Sequence, residues 1–137
     1  MQASSFEDVR MTTREPSKQR KAIYQANGQR LRKLLAAPLS DELRKIQGRS
    51  SYPVRKGDTV KIVRGDFAGI EGKVNDVDTH GRRLFVEGVS REMTSGTSTN
   101  VSVHTSKVVI TKLNLDDKWR AESIKLAPTV APKEGEE

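Results

Sequence analysis

Residues 56–78 read KGDTVKIVRGDFAGIEGKVNDVD, and the fold turns on what its glycines at 65, 69 and 72 are for. A Walker-type loop needs four residues between its glycines, followed at once by Lys and Ser or Thr. A dinucleotide fingerprint needs G-x-G-x-x-G running into a helix. The spacing here is G-x-x-x-G-x-x-G, and the KVNDV that follows has strand character, so no helix N-terminus faces a phosphate. Arg64-Gly65-Asp66 also spells an adhesion tripeptide, which would require extracellular display. The N-terminal MQASSFEDVRMTTREP carries carboxylates and no apolar core of a secretory signal, which argues against that. Backbone geometry remains. Gly65 and Gly69 let the chain reverse with positive φ, and Gly72, inside a strand, leaves room for close backbone approach where a small barrel bends.

The flanking residues alternate with period two. Val60 and Ile62 face one way, Val74 and Val77 follow the glycine loop, and Leu84 and Val86 alternate with Arg83, Phe85 and Glu87. This predicts strands over about 59–63, 71–77 and 83–87, with Thr79-His80-Gly81-Arg82 as a hairpin turn in which Gly81 supplies positive φ. After the polar loop SREMTSGTSTN, Val101 with Val103 and Val108 with Ile110 predict two more strands. Five short strands separated by turn signals make a mainly β chain with a small barrel. Residues 111–126 predict a terminal helix capped by Asp116 or Asp117, with Trp119 docked and Phe85 as a core partner; 127–137, with two prolines and an acidic end, reads as a disordered tail.

Upstream, residues 1–16 are polar and aperiodic, a flexible tail ending at Pro16. SKQRKAIYQANGQRLRK, residues 17–33, then carries 6 basic side chains and no carboxylate. Leu31, Leu34 and Leu35 fall at i, i+3 and i+4, predicting a short basic helix before Pro38. Ser40 as N-cap, Asp41 and Glu42 in the first turn and Gly48 at the end make SDELRKIQ a two-turn helix. GRSSYP reads as a linker.

Charge is concentrated at the front of the chain. Of a net +7, residues 1–56 hold 13 Lys and Arg against 5 Asp and Glu, residues 57–120 hold 10 against 9, and residues 121–137 hold 2 against 4. A basic arm before a nearly neutral body calls for an anion, and a polyphosphate backbone supplies regularly spaced anions while releasing counterions. Nucleic acid is the expected partner. No apolar run spans a bilayer, so no membrane role is expected. The absence of cysteine excludes disulfides and thiolate metal sites, and His80 and His104 have no ligand spacing. The carboxylates Asp76, Asp78, Asp116 and Asp117 stand in polar sequence with nothing to tune a general base, so neither enzyme activity, a small-molecule substrate nor a cofactor is expected. The compartment expected is the cytoplasm.

Residues 56–78 resemble the KOW motif in their Lys-Gly-Asp lead, alternating strand, glycine-punctuated loop and Gly72 followed by a basic residue and valine. The motif occurs in ribosomal proteins and in transcription elongation factors. Lys18-Gln19-Arg20-Lys21 in the arm, APLSDELR at 37–44, SYPVRKGD at 51–58, LFVEGVSR at 84–91 and VSVHTSKVVI at 101–110 narrow it. Together they resemble the twenty-fourth large-ribosomal-subunit protein family in its archaeal and eukaryotic form, in matching order over roughly residues 17–120. The resemblance implies a five-stranded SH3-like (KOW) barrel over 54–112, a basic, partly helical extension over 17–53 and a helix over 113–126. It also implies a structural role on large-subunit rRNA, early in assembly and by the mouth of the nascent-chain exit tunnel. Neighbouring ribosomal proteins are the other expected partners, with the chain present as a single copy rather than a homo-oligomer. The alternative is a KOW-containing transcription elongation or RNA-processing factor.

Folded RNA is recognised through backbone shape and phosphates, which suits long basic side chains following its contour. Lys18, Arg20, Lys21, Arg30, Arg32 and Lys33 are expected to thread between rRNA helices, and Arg49, Arg55 and Lys56 to clamp phosphates where arm meets barrel. On the barrel the candidates are Arg64, Lys73, Arg82, Arg83, Arg91 and Lys107. Tyr24 and Phe67 are candidates for stacking on bases, Phe67 having a fold over the barrel mouth as its competing role.

Overall fold

A computed structural model describes residues 13–125; the predicted tail up to residue 12 and the acidic end from 126 lie outside the described residues. The chain runs α1 (Pro16–Tyr24), α2 (Gly28–Leu34), β1 (Ala36–Pro38), α3 (Asp41–Gln47), β2 (Ser51–Pro53), β3 (Thr59–Ile62), β4 (Glu71–Asp78), β5 (Arg83–Glu92), β6 (Ser98–His104), a single 3-10 turn (Thr105–Lys107), β7 (Val108–Lys112) and α4 (Lys118–Lys125). The five predicted strands are β3 to β7. They form one antiparallel sheet in the order β6-β5-β4-β3-β7, the mainly β, SH3-like arrangement expected. The barrel is not closed, because the edge strands β6 and β7 are not paired with each other.

Gly72 lies where β4 passes from β3 to β5. It faces Val60 in the β3 ladder, and a methyl group on it would stand 2.5 Å from the Glu87 carbonyl oxygen and 2.9 Å from Val86 Cγ1. Only glycine admits that approach. Gly65 and Gly69 take φ of 98° and 94°, as the loop reading required, and the Gly69 N–H closes the loop on the Ile62 carbonyl at 2.8 Å.

Two irregularities adjust the period-two pattern. Val74 and Val77 lie three apart, which would put them on opposite faces of a regular strand, but the β4–β5 register shifts between Val74 and Asp76 and brings both toward the core. In β5 the chain continues past the predicted end at residue 87 through Gly88, at φ 83°, so that Val89 is buried after Leu84 and Val86. The core is Val60, Ile62, Val74, Leu84, Val86, Val89, Val103, Val108 and Ile110, joined by Ala37, Leu39 and Val54 from upstream. Each fully buried aliphatic contributes about 1.5–3 kcal/mol.

Upstream, the short basic helix read before Pro38 is α2, while two other readings are corrected. α1 is a helix the sequence reading does not predict, because its basic face buries nothing and no apolar period marks it. GRSSYP is not a plain linker: Ser51–Pro53 pairs antiparallel with Ala36–Pro38. This ribbon docks on the sheet edge, where Leu39 bridges Ile110 and the Ser40 N–H donates to the Ile110 carbonyl at 2.9 Å. α3 forms as read, with the Ser40 hydroxyl accepting from the Leu43 N–H and Gly48 left-handed at φ 63°.

The C-terminal segment differs more. Trp119 does not dock; it is 82% exposed, and Phe85 is only half-buried. Arg120 and Ile124 are buried instead. Arg120 forms a two-pronged pair with Asp58, both N–O distances 2.7 Å, and also donates to the Asn114 and Pro53 carbonyls. Asp58, fully buried, accepts in addition from the Arg55 and Asn114 backbone N–H groups. The Arg120 guanidinium lies over the Tyr52 ring at 5.3 Å, and the Tyr52 hydroxyl bonds Ser123 Oγ at 2.8 Å. The aspartate of the Lys-Gly-Asp lead thus fastens β2 and α4 to the sheet.

The turn at 79–82 is also built differently from the prediction. Arg82, not Gly81, takes positive φ, at 55°. Asp78 Oδ1 accepts the His80 and Gly81 N–H groups at 3.1 Å each, and this side-chain turn leaves the reversal to the next residue.

Candidate nucleic-acid interface

The β3–β4 loop, the start of β5, the end of β6 and the 3-10 turn surround one cleft. It is lined by Arg64, Phe67, Arg83 and Lys107 together with Ser102 and His104. Arg83 and His104 are register partners across β5 and β6, and Arg83 Nη1 reaches Ser102 Oγ at 3.3 Å. His104 Nδ1 accepts the Ser106 N–H, fixing the ring at the head of the 3-10 turn. Partial burial holds its pKa below the ordinary histidine value, and Arg82, Arg83 and Lys107 push it further the same way. The three cations around the ring make the potential there positive. Arg82, half-buried at the hairpin, spends backbone strain of about 1 kcal/mol in its left-handed conformation. Asp66 is the carboxylate lining this cleft, and it lies 3.7 Å from Arg91.

A second cleft lies between the arm and the sheet, lined by Arg32 of α2, Arg55 and Lys56 ahead of β3, and Leu35, Tyr52, Val54 and Val77. Here Arg55 and Lys56 are paired within the protein. Arg55 pairs with Asp117 and Lys56 with Asp76 at 2.6 Å, and each hydrogen bond is the first cause holding its carboxyl below the usual range. Both pairs are well exposed, and water screens exposed pairs so strongly that a phosphate can displace either carboxylate.

The arm carries the remaining upstream candidates. Lys18, Arg20, Lys21 and Tyr24 lie on α1 and are exposed, Tyr24 by 86%. Lys18 pairs with Glu15 at 2.9 Å. Arg30 and Lys33 stand on α2, which Asn27 caps by accepting the Arg30 N–H and which Leu31 anchors. Arg49, Lys73 and Arg91 are exposed and line neither cleft. Phe67 is half-buried and packs against the core while also lining the first cleft.

Sequence reasoning missed His104 and Ser102 as members of the first cleft, since a histidine after an alternating valine pattern carries no signal of what stands across the strand pair. It also missed Asp58 and Arg120. They are 62 residues apart, and neither sits on an apolar period.

A family model matches residues 13–126, all of the described residues, and it is a model of ribosomal proteins, the class to which a small basic β module with a cationic arm conforms. The chain belongs to that family, which unites the eukaryotic ribosomal protein L26 with its archaeal L24 counterpart. It is 46% identical over 112 residues to the large ribosomal subunit protein uL24 of Korarchaeum cryptofilum, covering 82% of this chain and 86% of that one. Against uL24 of Saccharolobus solfataricus the identity is 45% over 114 residues, with 83% and 96% covered. Against that of Methanosphaera stadtmanae it is 42% over 112 residues, with 82% and 96% covered. The resemblance read from the sequence is therefore the family to which the chain belongs, and that family is structural rather than enzymatic.

Proposed function

We propose that this protein is a structural constituent of the large ribosomal subunit, working in the cytoplasm as part of the ribosome and holding rRNA by its phosphates. The observation that carries the rRNA contact is the cleft that Arg64, Arg83 and Lys107 line together with His104. Converging cations repel one another, and a phosphate between them turns that repulsion into attraction. Arg32, Arg55 and Lys56 form the second set of contacts, and the arm residues Lys18, Arg20, Lys21, Arg30 and Lys33, with Tyr24, the third. α1 buries no residue of its own in the protein alone, which suits a segment that finds its packing on RNA.

Binding near the start of the large-subunit rRNA, early in assembly, and a place by the exit-tunnel mouth extend this reading, as does contact with neighbouring ribosomal proteins as a single copy. The transcription-factor alternative is not favoured, because the family match runs through arm, sheet and terminal helix alike. The test is filter binding of the purified protein to deproteinised large-subunit rRNA at increasing salt. The expected result is tight binding whose log affinity falls linearly with log salt. Binding that ignores salt, or no binding at low salt, would overturn the phosphate reading.

A further inference from the structure

We infer that the cleft between arm and sheet is a seat for a single unpaired nucleotide, its base on the apolar floor and its phosphate on the cationic rim. The inference rests on the rRNA-binding reading but goes beyond it in assigning one site and one ligand class. The cleft encloses about 600 Å³, within the range of small-ligand sites. Its floor is Leu35, Tyr52, Val54 and Val77, of which Leu35 and Val54 are 3% exposed, and its rim carries Arg32, Arg55 and Lys56. A helical stretch of RNA has no group to place on such a floor, because its bases are stacked and its outer surface is phosphate and sugar. An extruded nucleotide has both an apolar face and an adjacent phosphate.

The floor is set before any ligand arrives. Arg120 lies over the Tyr52 ring, the Tyr52 hydroxyl is bonded to Ser123, and the Val54 N–H donates to the Leu35 carbonyl at 3.3 Å. A fixed aromatic loses little freedom on stacking, so more of the contact appears as affinity. The rim is set differently. Arg55 and Lys56 are held by Asp117 and Asp76 until a phosphate competes, which discriminates against weak anions.

The same chemistry exists in rRNA and in free mononucleotides, and the experiment separates them. Thr79 lines the cleft from the β4–β5 turn and bears none of its charge, so Thr79→Trp fills the space without removing a cation. Deproteinised large-subunit rRNA is titrated into wild type and Thr79→Trp, with and without millimolar AMP, GMP, CMP and UMP. For an rRNA nucleotide, affinity falls about tenfold in the variant, the salt slope is unchanged, and the mononucleotides do not compete. Competition by a mononucleotide that the variant abolishes supports the nucleotide seat and assigns it to free nucleotides. Wild-type affinity within about twofold in Thr79→Trp overturns the seat while leaving the rRNA reading intact; absence of rRNA binding by wild type defeats both. A second measurement needs no variant and is indifferent to folding. Ultraviolet irradiation of intact large subunits followed by peptide mass spectrometry is expected to show a nucleotide adduct on Tyr52. Adducts on Tyr24 with none on the 51–56 peptide would overturn the proposal.

Discussion

Gly72 and Gly69 differ in what a methyl group would meet. At Gly72 it would press on the Glu87 carbonyl and Val86, so Gly72→Ala is expected to cost about 1–3 kcal/mol by overpacking, read as a lower urea midpoint. At Gly69 the added methyl meets nothing within 4 Å, and only the φ of 94° is strained, so Gly69→Ala should cost about 1–2 kcal/mol without disturbing the sheet. The glycines were legible from sequence because their spacing fits neither a Walker-type loop nor a dinucleotide fingerprint. The Asp58–Arg120 pair was not: a charged residue in sequence looks solvated, and burial is a property of the packed molecule. Asp58→Asn leaves the Arg120 guanidinium buried without a counter-charge and is expected to destabilise by about 3–5 kcal/mol, with loss of α4 measured by hydrogen exchange. The opposite result, stability within about 0.5 kcal/mol of wild type, would mean that the pair does not hold the C-terminal helix.

At the level of elements, α2 and the β1–β2 ribbon belong to the folded body. Leu31 and Leu35 are buried, while α1 contributes no buried residue. Limited proteolysis of the free protein should therefore cut before about residue 28 and spare 31–124, leaving more of the extension protected than a flexible arm would; rapid cleavage between α2 and β1 would contradict the docking. The ribbon escaped sequence reasoning because three-residue strands carry too few positions to show a period. The first cleft yields a pH prediction. His104 titrates lower in the fold than in the unfolded chain, so its share of stability is complete above the free value of 6.5 and is lost as pH falls below it. RNA phosphates reverse the sign by favouring the imidazolium. NMR titration of the His104 ring should show its pKa rising when RNA binds, with affinity growing from about pH 7.5 to about 6. In His104→Asn that pH dependence should vanish. An unshifted His104 in the complex would place the phosphates elsewhere.

Across the described residues, basic charge gathers on the arm and in two clefts, and exposed ion pairs trim part of it in those same places. Its sign and partner class were legible, since charge count survives folding unchanged. Which cations converge was not, because β5 and β6 bring Arg83 beside His104 only through strand register. Replacing Arg82, Arg83 and Lys107 together by Gln should flatten the slope of log affinity against log salt by about 2 to 3, at about 0.7 to 0.9 for each phosphate no longer neutralised. The most direct test of the central claim, that this chain is an rRNA-held constituent of the large subunit, is gradient sedimentation of cell extract in low and high salt. The protein is expected to travel with large subunits and their precursors at low salt and to leave them as salt rises. A protein found only in free or polymerase fractions, and never with large subunits, would contradict it.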